Sequence, residues 1–499
     1  MINRFSILFF IFQIIYANDF TPSTLVSGEV TNHNLYPEMA VTDSGEIYIV
    51  WVNTQGGGDV HFTMSIDHGQ TFTNFSTVNQ VENHAITIGF SGPQIEVWRD
   101  TIHVIWSDQR NGYDHSTIYY ARSIDQGLTW EEMRIGYPNG VNFYPELLID
   151  SQGILHASFH YYLPGSFAYQ YIAHTYSSDG GESWSNFNIV SNYESGEPCD
   201  CCPVELHEMS DGKIINGFRN NENNIRDMFS MDWHPEDSSW INLSPMSYDD
   251  YFVNYCPTSG PSLVSLDSIV AMAYMSEINS ENRIFLTLSH DLGDTFSVKI
   301  PMEMTSGVNY YQNHPSAVMT QDGNIHVIWE DSRNFGNILY SVLELGHSLM
   351  TGFSTVNDSI TSSPEIAPQL ASDSDDNLYA VWVDRRSGRQ IRFSTTYPLD
   401  LSADEGLIPL AFSLSLPYPN PFNSKTTIRF SVNESIITGK TSLQIFDIHG
   451  RLVASLIDGF VHKGTHEIQW DASTQSSGIY FIALQTQSYT QTVKSIYLK

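Results

Sequence analysis

Basic side chains are scarce in this chain. Against 56 Asp and Glu it carries 22 Lys and Arg, a formal net charge of -34 over 499 residues, and only Lys213 and Lys299 among the lysines precede residue 413. A surface of that sign repels phosphate backbones and anionic headgroups, so nucleic acid and a polybasic membrane contact are excluded as general partners. Cysteine is nearly absent too, with four in all. Beyond the N-terminus there is no long apolar run, so no membrane-spanning segment is expected in the mature chain. Aromatic residues, in contrast, make up 13% of the chain and hydrophobic residues 41%. That content is incompatible with wholesale disorder.

The charge is unevenly placed. Residues 18–412 hold 14 basic against 51 acidic side chains, whereas 413–499 hold seven against five. Residues 1–17 place Arg4 before an apolar run from Phe5 to Tyr16 and then Ala17, the pattern of a secretory signal peptide. The run is too short to span a bilayer. The chain therefore reads as a signal peptide (1–17), an acidic body (18–400), a linker (401–412) and a neutral C-terminal domain (413–499).

The body is repetitive. Prolines at 37, 93, 145, 203, 261, 315 and 368 mark extended starts 52 to 58 residues apart. Most are followed by a turn and a β-branched or aromatic strand, such as Ile47–Trp51, Ile102–Trp106, Leu155–Phe159, Ile325–Trp329 and Leu378–Trp382. The unit is a four-stranded antiparallel sheet, and seven of them predict an all-β fold, a β-propeller with seven blades favoured over six. Unit seven lacks a fourth strand. The segment Phe20–Ser27 has the character of one, and docking there would close the ring and remove two open sheet edges.

Between the third and fourth strands a turn recurs: Ser65, Asp67, Gly69, Thr71 and Phe72; Ser123, Asp125, Gly127, Thr129 and Trp130; Ser177, Asp179, Gly181, Ser183 and Trp184; Ser289, Asp291, Gly293, Thr295 and Phe296. The carboxylate can accept backbone N–H groups across the hairpin, and glycine tolerates positive φ. Four copies in register resemble the Asp-box, or BNR, repeats of sialidase-like propellers. Equivalent residues repeated around a ring are structural, so Asp67, Asp125, Asp179 and Asp291 report fold rather than catalysis. The C-terminal pattern, with Pro419, Asn420, Pro421, Phe422 and Asn423 leading into short alternating strands, predicts a small Ig-like β-sandwich. It resembles the type A sorting domain of the type IX secretion system, which implies that secretion machinery as a partner and a secreted or cell-surface location.

Function is expected on the face opposite the Asp boxes. There Trp-x-Asp-x-Arg occurs three times, giving Asp108 with Arg110, Asp331 with Arg333 and Asp384 with Arg386. Repetition points to bracing of loops. The alternative is that these pairs, with Tyr161 and Tyr162, line a central cleft for a sugar. Unit four breaks the pattern most and adds Arg219, Asn220, Glu222 and Arg226 as ligand-face candidates. His33, His84, His160 and His314 fall near loops of that face. Cys199, Cys201, Cys202 and Cys256 converge on two neighbouring connections. They predict two disulfides of open pairing, or one disulfide and a thiol pair free for a soft metal such as copper or zinc, with His207 as a further ligand. The acid excess also suits weak calcium binding.

The sialidase resemblance implies three carboxylate-clamping arginines, a tyrosine–glutamate nucleophile pair, an aspartate and an Arg-Ile-Pro motif in the first blade. No arginine lies between residue 18 and Arg99, and the catalytic set is not carried over. Glu205 or Glu222 beside Tyr255, Tyr310 or Tyr311 is the nearest substitute. The expected function is thus an exported propeller that binds glycan or another extracellular polymer. The alternative is an exo-acting glycoside hydrolase or polysaccharide lyase with Arg219 and Arg226 as anion clamps, and a cysteine-bound metal or redox site is a third reading.

Overall fold

The computed structural model describes residues 20–398 and 412–499 apart from short internal stretches, the longest of them 29–32, 164–169, 192–196, 304–309, 358–363, 433–440 and 486–489. The signal peptide expected at 1–17, and all but the last residue of the linker expected at 401–412, lie outside the described residues. The chain divides after Leu399 into two compact units.

The first unit contains seven antiparallel sheets of four or five strands. Their inner strands are Asn34–Val41, Gln94–Trp98, Val141–Ile149, Glu205–Glu208, Ser262–Leu266, Gln312–Met319 and Ile366–Ser372. Each packs against the next, and the last packs against the first, so the sheets close into a ring. This is a β-propeller of seven blades. The second strand of a blade is covered on both faces by its neighbours, which explains why Ile47–Asn53, Leu155–Tyr162 and Leu378–Asp384 are buried along their whole length and read as near-continuous apolar runs. Trp51, Trp106, Trp329 and Trp382 end these runs fully buried between blades.

The ring closes through its ends. Thr24–Leu25 pairs with the strand Gln390–Thr395, Thr24 opposite Phe393 and Leu25 opposite Arg392, and so supplies the fourth strand of blade seven. Phe20 and Val26 are buried on either side of it.

The marker prolines have a mechanical role. Proline donates no ladder hydrogen bond and forces a local break in pairing. Register shifts lie between Leu35 and Glu38, Phe143 and Glu146, Asn313 and Ser316, and Ile366 and Gln369. Before the prolines, Tyr36, Tyr144, His314 and Ala367 take φ of 48°, 55°, 47° and 52°, the left-handed region that costs a non-glycine residue about 1–2 kcal/mol. The bulge turns these residues out of the ladder where the inner strands begin.

The second unit is a β-sandwich. One sheet joins Phe412–Leu414, Lys425–Val432 and Gly464–Asp471, the other Leu452–Gly459, Thr441–Asp447, Gly478–Gln485 and Thr490–Tyr497. Phe422, Phe430, Trp470, Tyr480 and Tyr497 fill the space between them.

Candidate functional site

The turns after strand three occupy one face of the ring, and the turns after strand two share the other with the connections into each inner strand. On the first face the four Asp boxes repeat one geometry. In the box of blade two, Asp125 Oδ1 accepts from Ser123 Oγ at 2.8 Å and Thr129 N at 2.9 Å, and Oδ2 accepts from Thr129 Oγ1 at 2.6 Å. Asp67, Asp179 and Asp291 do the same. These bonds hold Asp179 and Asp291 down at about 2, with the Ser183 and Thr295 hydroxyls as the largest causes.

On the opposite face the Trp-x-Asp-x-Arg residues form clasps. Asp108 is buried and accepts from Trp106 Nε1, Arg110 N, Arg110 Nε and Arg110 Nη2, while Arg110 Nη1 donates to Glu132 at 2.6 Å. Arg333 binds Asp331 and Glu303 in the same way and stacks over Tyr310. Arg386 binds Asp384, to which Arg392 adds a further contact at 3.0 Å. All three carboxylates are buried, so Asp108, Asp331 and Asp384 do not present themselves to a ligand, and their arginines are consumed by them.

Blade four also corrects the sequence reading. Arg219 is 1% exposed, and its guanidinium donates to the backbone carbonyls of Ser259, Arg226 and Met275. Arg226 and Asn220 are buried as well. Neither arginine can clamp an anionic substrate. Tyr161 and Tyr162 are buried, the latter with its hydroxyl on the Asp200 carbonyl. His160 is buried and hydrogen-bonded to the Cys202 carbonyl. Glu205 accepts from Leu263 N on the next inner strand rather than from the tyrosines expected as its partners. Glu222 alone of this group is exposed, at the tip of a hairpin turned by Asn223 and Asn224 at φ of 55° and 67°.

What converges on the face is a different set. Phe90, from the connection into blade two, stacks on His314 of blade six with ring centroids 3.9 Å apart, and Tyr36 of blade one packs edge-on against Phe90. Blades two and six are not neighbours, so these rings meet across the mouth of the central channel. His314 Nδ1 lies 3.0 Å from Glu330 Oε2, and its Nε2 is hydrogen-bonded to the Thr258 carbonyl. Burial and the Glu330 carboxylate raise the Tyr36 hydroxyl pKa, while Arg389 and Arg385 draw it down. Arg385 is exposed and has no ion pair among the described residues. Around the same face stand exposed aromatic rings: Tyr113 at 51%, Phe252 at 63%, Tyr255 at 50% and Tyr311 at 67%.

The first three inner strands line a cavity of about 280 Å³ that includes Glu38, Glu96 and Glu146. These carboxylates and Glu205 keep slight exposure toward the channel but are enclosed by protein. Burial pushes Glu38, Glu96 and Glu205 up to about 8, and burial together with the neighbouring carboxylates raises Glu146 well above the usual carboxylate range.

The sulfur atoms resolve into one disulfide, Cys201–Cys256, which closes a loop of 55 residues and by chain entropy contributes about 4 kcal/mol. Cys199 and Cys202 remain thiols, with Sγ atoms 3.3 Å apart. Among the described residues Cys199, Cys201 and Cys202 are the cluster whose ligand atoms approach closely enough to share an ion, although Cys201 is committed to its disulfide.

Residues 95–327 match the BNR repeat-like domain, and residues 417–499 match the secretion system C-terminal sorting domain. The propeller thus carries a BNR repeat-like domain, and the second unit is a secretion system sorting domain. No curated protein matches it in sequence. Among solved structures, an ulvan lyase described as a new family of polysaccharide lyase superposes with a TM-score of 0.52 at 10% identity, over 74% of this chain and 95% of its own. A protein of unknown function from Dyadobacter fermentans gives 0.47 at 14% identity, over 76% and 99%. A variant of the NanB sialidase from Streptococcus pneumoniae gives 0.42 at 13%, over 73% and 68%. At such identities the likeness is one of fold. The sorting domain marks this BNR propeller for type IX export to the cell surface or beyond it, and ties it to that machinery. No helix among its described residues is long and apolar enough to cross a membrane.

Proposed function

We propose that this exported propeller binds a glycan across the mouth of its central channel. The observation that carries this reading is the set of exposed rings, Tyr113, Phe252, Tyr255 and Tyr311, standing on one face around the stacked Tyr36, Phe90 and His314. Flat aromatic faces in water pack against the apolar C–H faces of sugar rings, and tyrosine adds a hydroxyl for hydrogen bonding. Arg385 and Arg389 give the otherwise acidic face a place for a carboxylate or sulfate on the glycan.

The reading is tested by binding the purified full chain to a panel of neutral, uronic-acid and sulfated oligosaccharides. At least one member binds, and if it is anionic Arg385→Gln weakens it about ten-fold, roughly 1.4 kcal/mol. Absence of binding across the panel overturns the proposal. A second reading, hydrolysis or lyase cleavage at the same face, is favoured by the Glu330 carboxylate, which sits against His314 and close enough to Tyr36 to raise its hydroxyl pKa; a carboxylate so placed can serve as a general base. This reading requires products to appear in the same panel and to vanish in His314→Ala.

A further inference from the structure

Two guanidinium groups are buried in blade four with no carboxylate in ion-pair contact among the described residues. Arg219 spends its donors on three carbonyls. Arg226 is 8% exposed, its Nε finds no acceptor, and its Nη1 donates to Cys199 Sγ at 3.0 Å. Burying a guanidinium without a counter-charge costs several kcal/mol. The acceptor that Arg226 meets is the sulfur of Cys199, which receives a second hydrogen bond from Cys202 Sγ at 3.3 Å. Cys199 and Cys202 stand in Cys-x-x-Cys spacing, and both side chains are almost wholly buried.

We propose that Cys199 and Cys202 form a redox centre buried beneath the channel-mouth face, in which Cys199 is a thiolate held by Arg226 that attacks a small peroxide and Cys202 is the resolving thiol. The Cys199 thiolate attacks one oxygen of hydrogen peroxide, the O–O bond breaks, hydroxide leaves, and a sulfenic acid remains. Cys202 sulfur then attacks Cys199 sulfur. A disulfide forms, the hydroxyl leaves as water with the Cys202 proton, and two electrons have passed to the peroxide. Both sulfurs are shielded, with 0% and 1% exposure, so an oxidant as small as peroxide reaches them with far less displacement of protein than a bulky disulfide would need. The positive pocket acts in the same direction, since hydrogen bonds from Cys202 and the nearby Arg226 and Arg219 lower the Cys199 thiol pKa. With Cys201 committed to Cys256, two thiols remain, too few for the four ligands of a structural zinc site.

The test is thiol alkylation and intact mass on the full chain purified without oxygen or chelator. Two thiols are expected at the start. After stoichiometric hydrogen peroxide there should be none, with a mass lower by two hydrogen atoms. Cys202→Ser should halt at a sulfenic acid on Cys199 that a dimedone probe captures, and Cys199→Ser should give neither product. Arg226→Gln, checked for folding by circular dichroism beside Arg226→Lys, should slow the reaction at neutral pH about ten-fold. Two thiols persisting in folded protein after peroxide, capture of Cys202 in place of Cys199, or a stoichiometric bound metal would each overturn the assignment.

Discussion

Asp331 shows how one side chain settles between a structural and a binding role. It is 2% exposed and accepts from Arg333 and from Gln312 Nε2 at 3.0 Å, so its charge is spent inside blade six. Removing one partner of such a buried set leaves the others uncompensated. Asp331→Ala is expected to cost about 3 kcal/mol in urea unfolding, with glycan affinity unchanged; an unchanged midpoint would contradict the clasp. The Trp-x-Asp-x-Arg spacing was visible in the sequence because it repeats, but spacing alone left open whether the pair faces a loop or a ligand. Arg219 stood out as a break in the repeat, yet its acceptors come from residues 226, 259 and 275, which no local pattern connects. His314 was legible as a loop histidine of this face, whereas Tyr36 was not singled out, although each directly precedes a marker proline, where pairing breaks and a side chain leaves the ladder.

Among the elements, the closing strand is the most exposed to test. Its sequence resembles other outer strands of the ring, and that likeness was sufficient to place it, because the unpaired edge of blade seven has one free terminus within reach. Phe20 and Val26 bury two apolar side chains worth about 1.5–3 kcal/mol each. A chain beginning at residue 29 should unfold at lower urea and self-associate through the bared Gln390–Thr395 edge, as seen by light scattering. Equal stability of the shortened and full chains would remove the strand from the closure. The cysteine pairing was illegible at this scale: four cysteines allow three connectivities, and only the approach of two connections selects Cys201 with Cys256.

At the scale of the whole molecule, the propeller is an acidic ring with acids also on its inner strands, and this sets the response to pH. Glu38, Glu96 and Glu205 lie near 8 when folded because burial penalises their charge. Between their unfolded value, about 4.3, and 8 the folded state holds protons that the unfolded chain has released. Stability is therefore full below that window and is lost as pH rises through it. Asp179 and Asp291, held near 2 by hydrogen bonds, have the opposite sign and lose their contribution as pH falls below about 4. Urea midpoints should peak in mildly acidic solution. Glu96→Gln with Glu146→Gln should flatten the decline above the peak, and a midpoint that rises from pH ~5 to ~8 would refute the account of the channel.

The central claim is that recognition belongs to the channel-mouth face and not to the Asp-box face. It is tested most directly by measuring, for the oligosaccharide that binds best, the affinity of three proteins: wild type, the double variant Tyr255→Ala with Tyr311→Ala, and Asp179→Ala on the opposite face. The predicted result is a loss of ten-fold or more, about 1.4 kcal/mol, in the double variant and wild-type affinity in Asp179→Ala. Retained binding in the double variant, or a matching loss in folded Asp179→Ala, would contradict it.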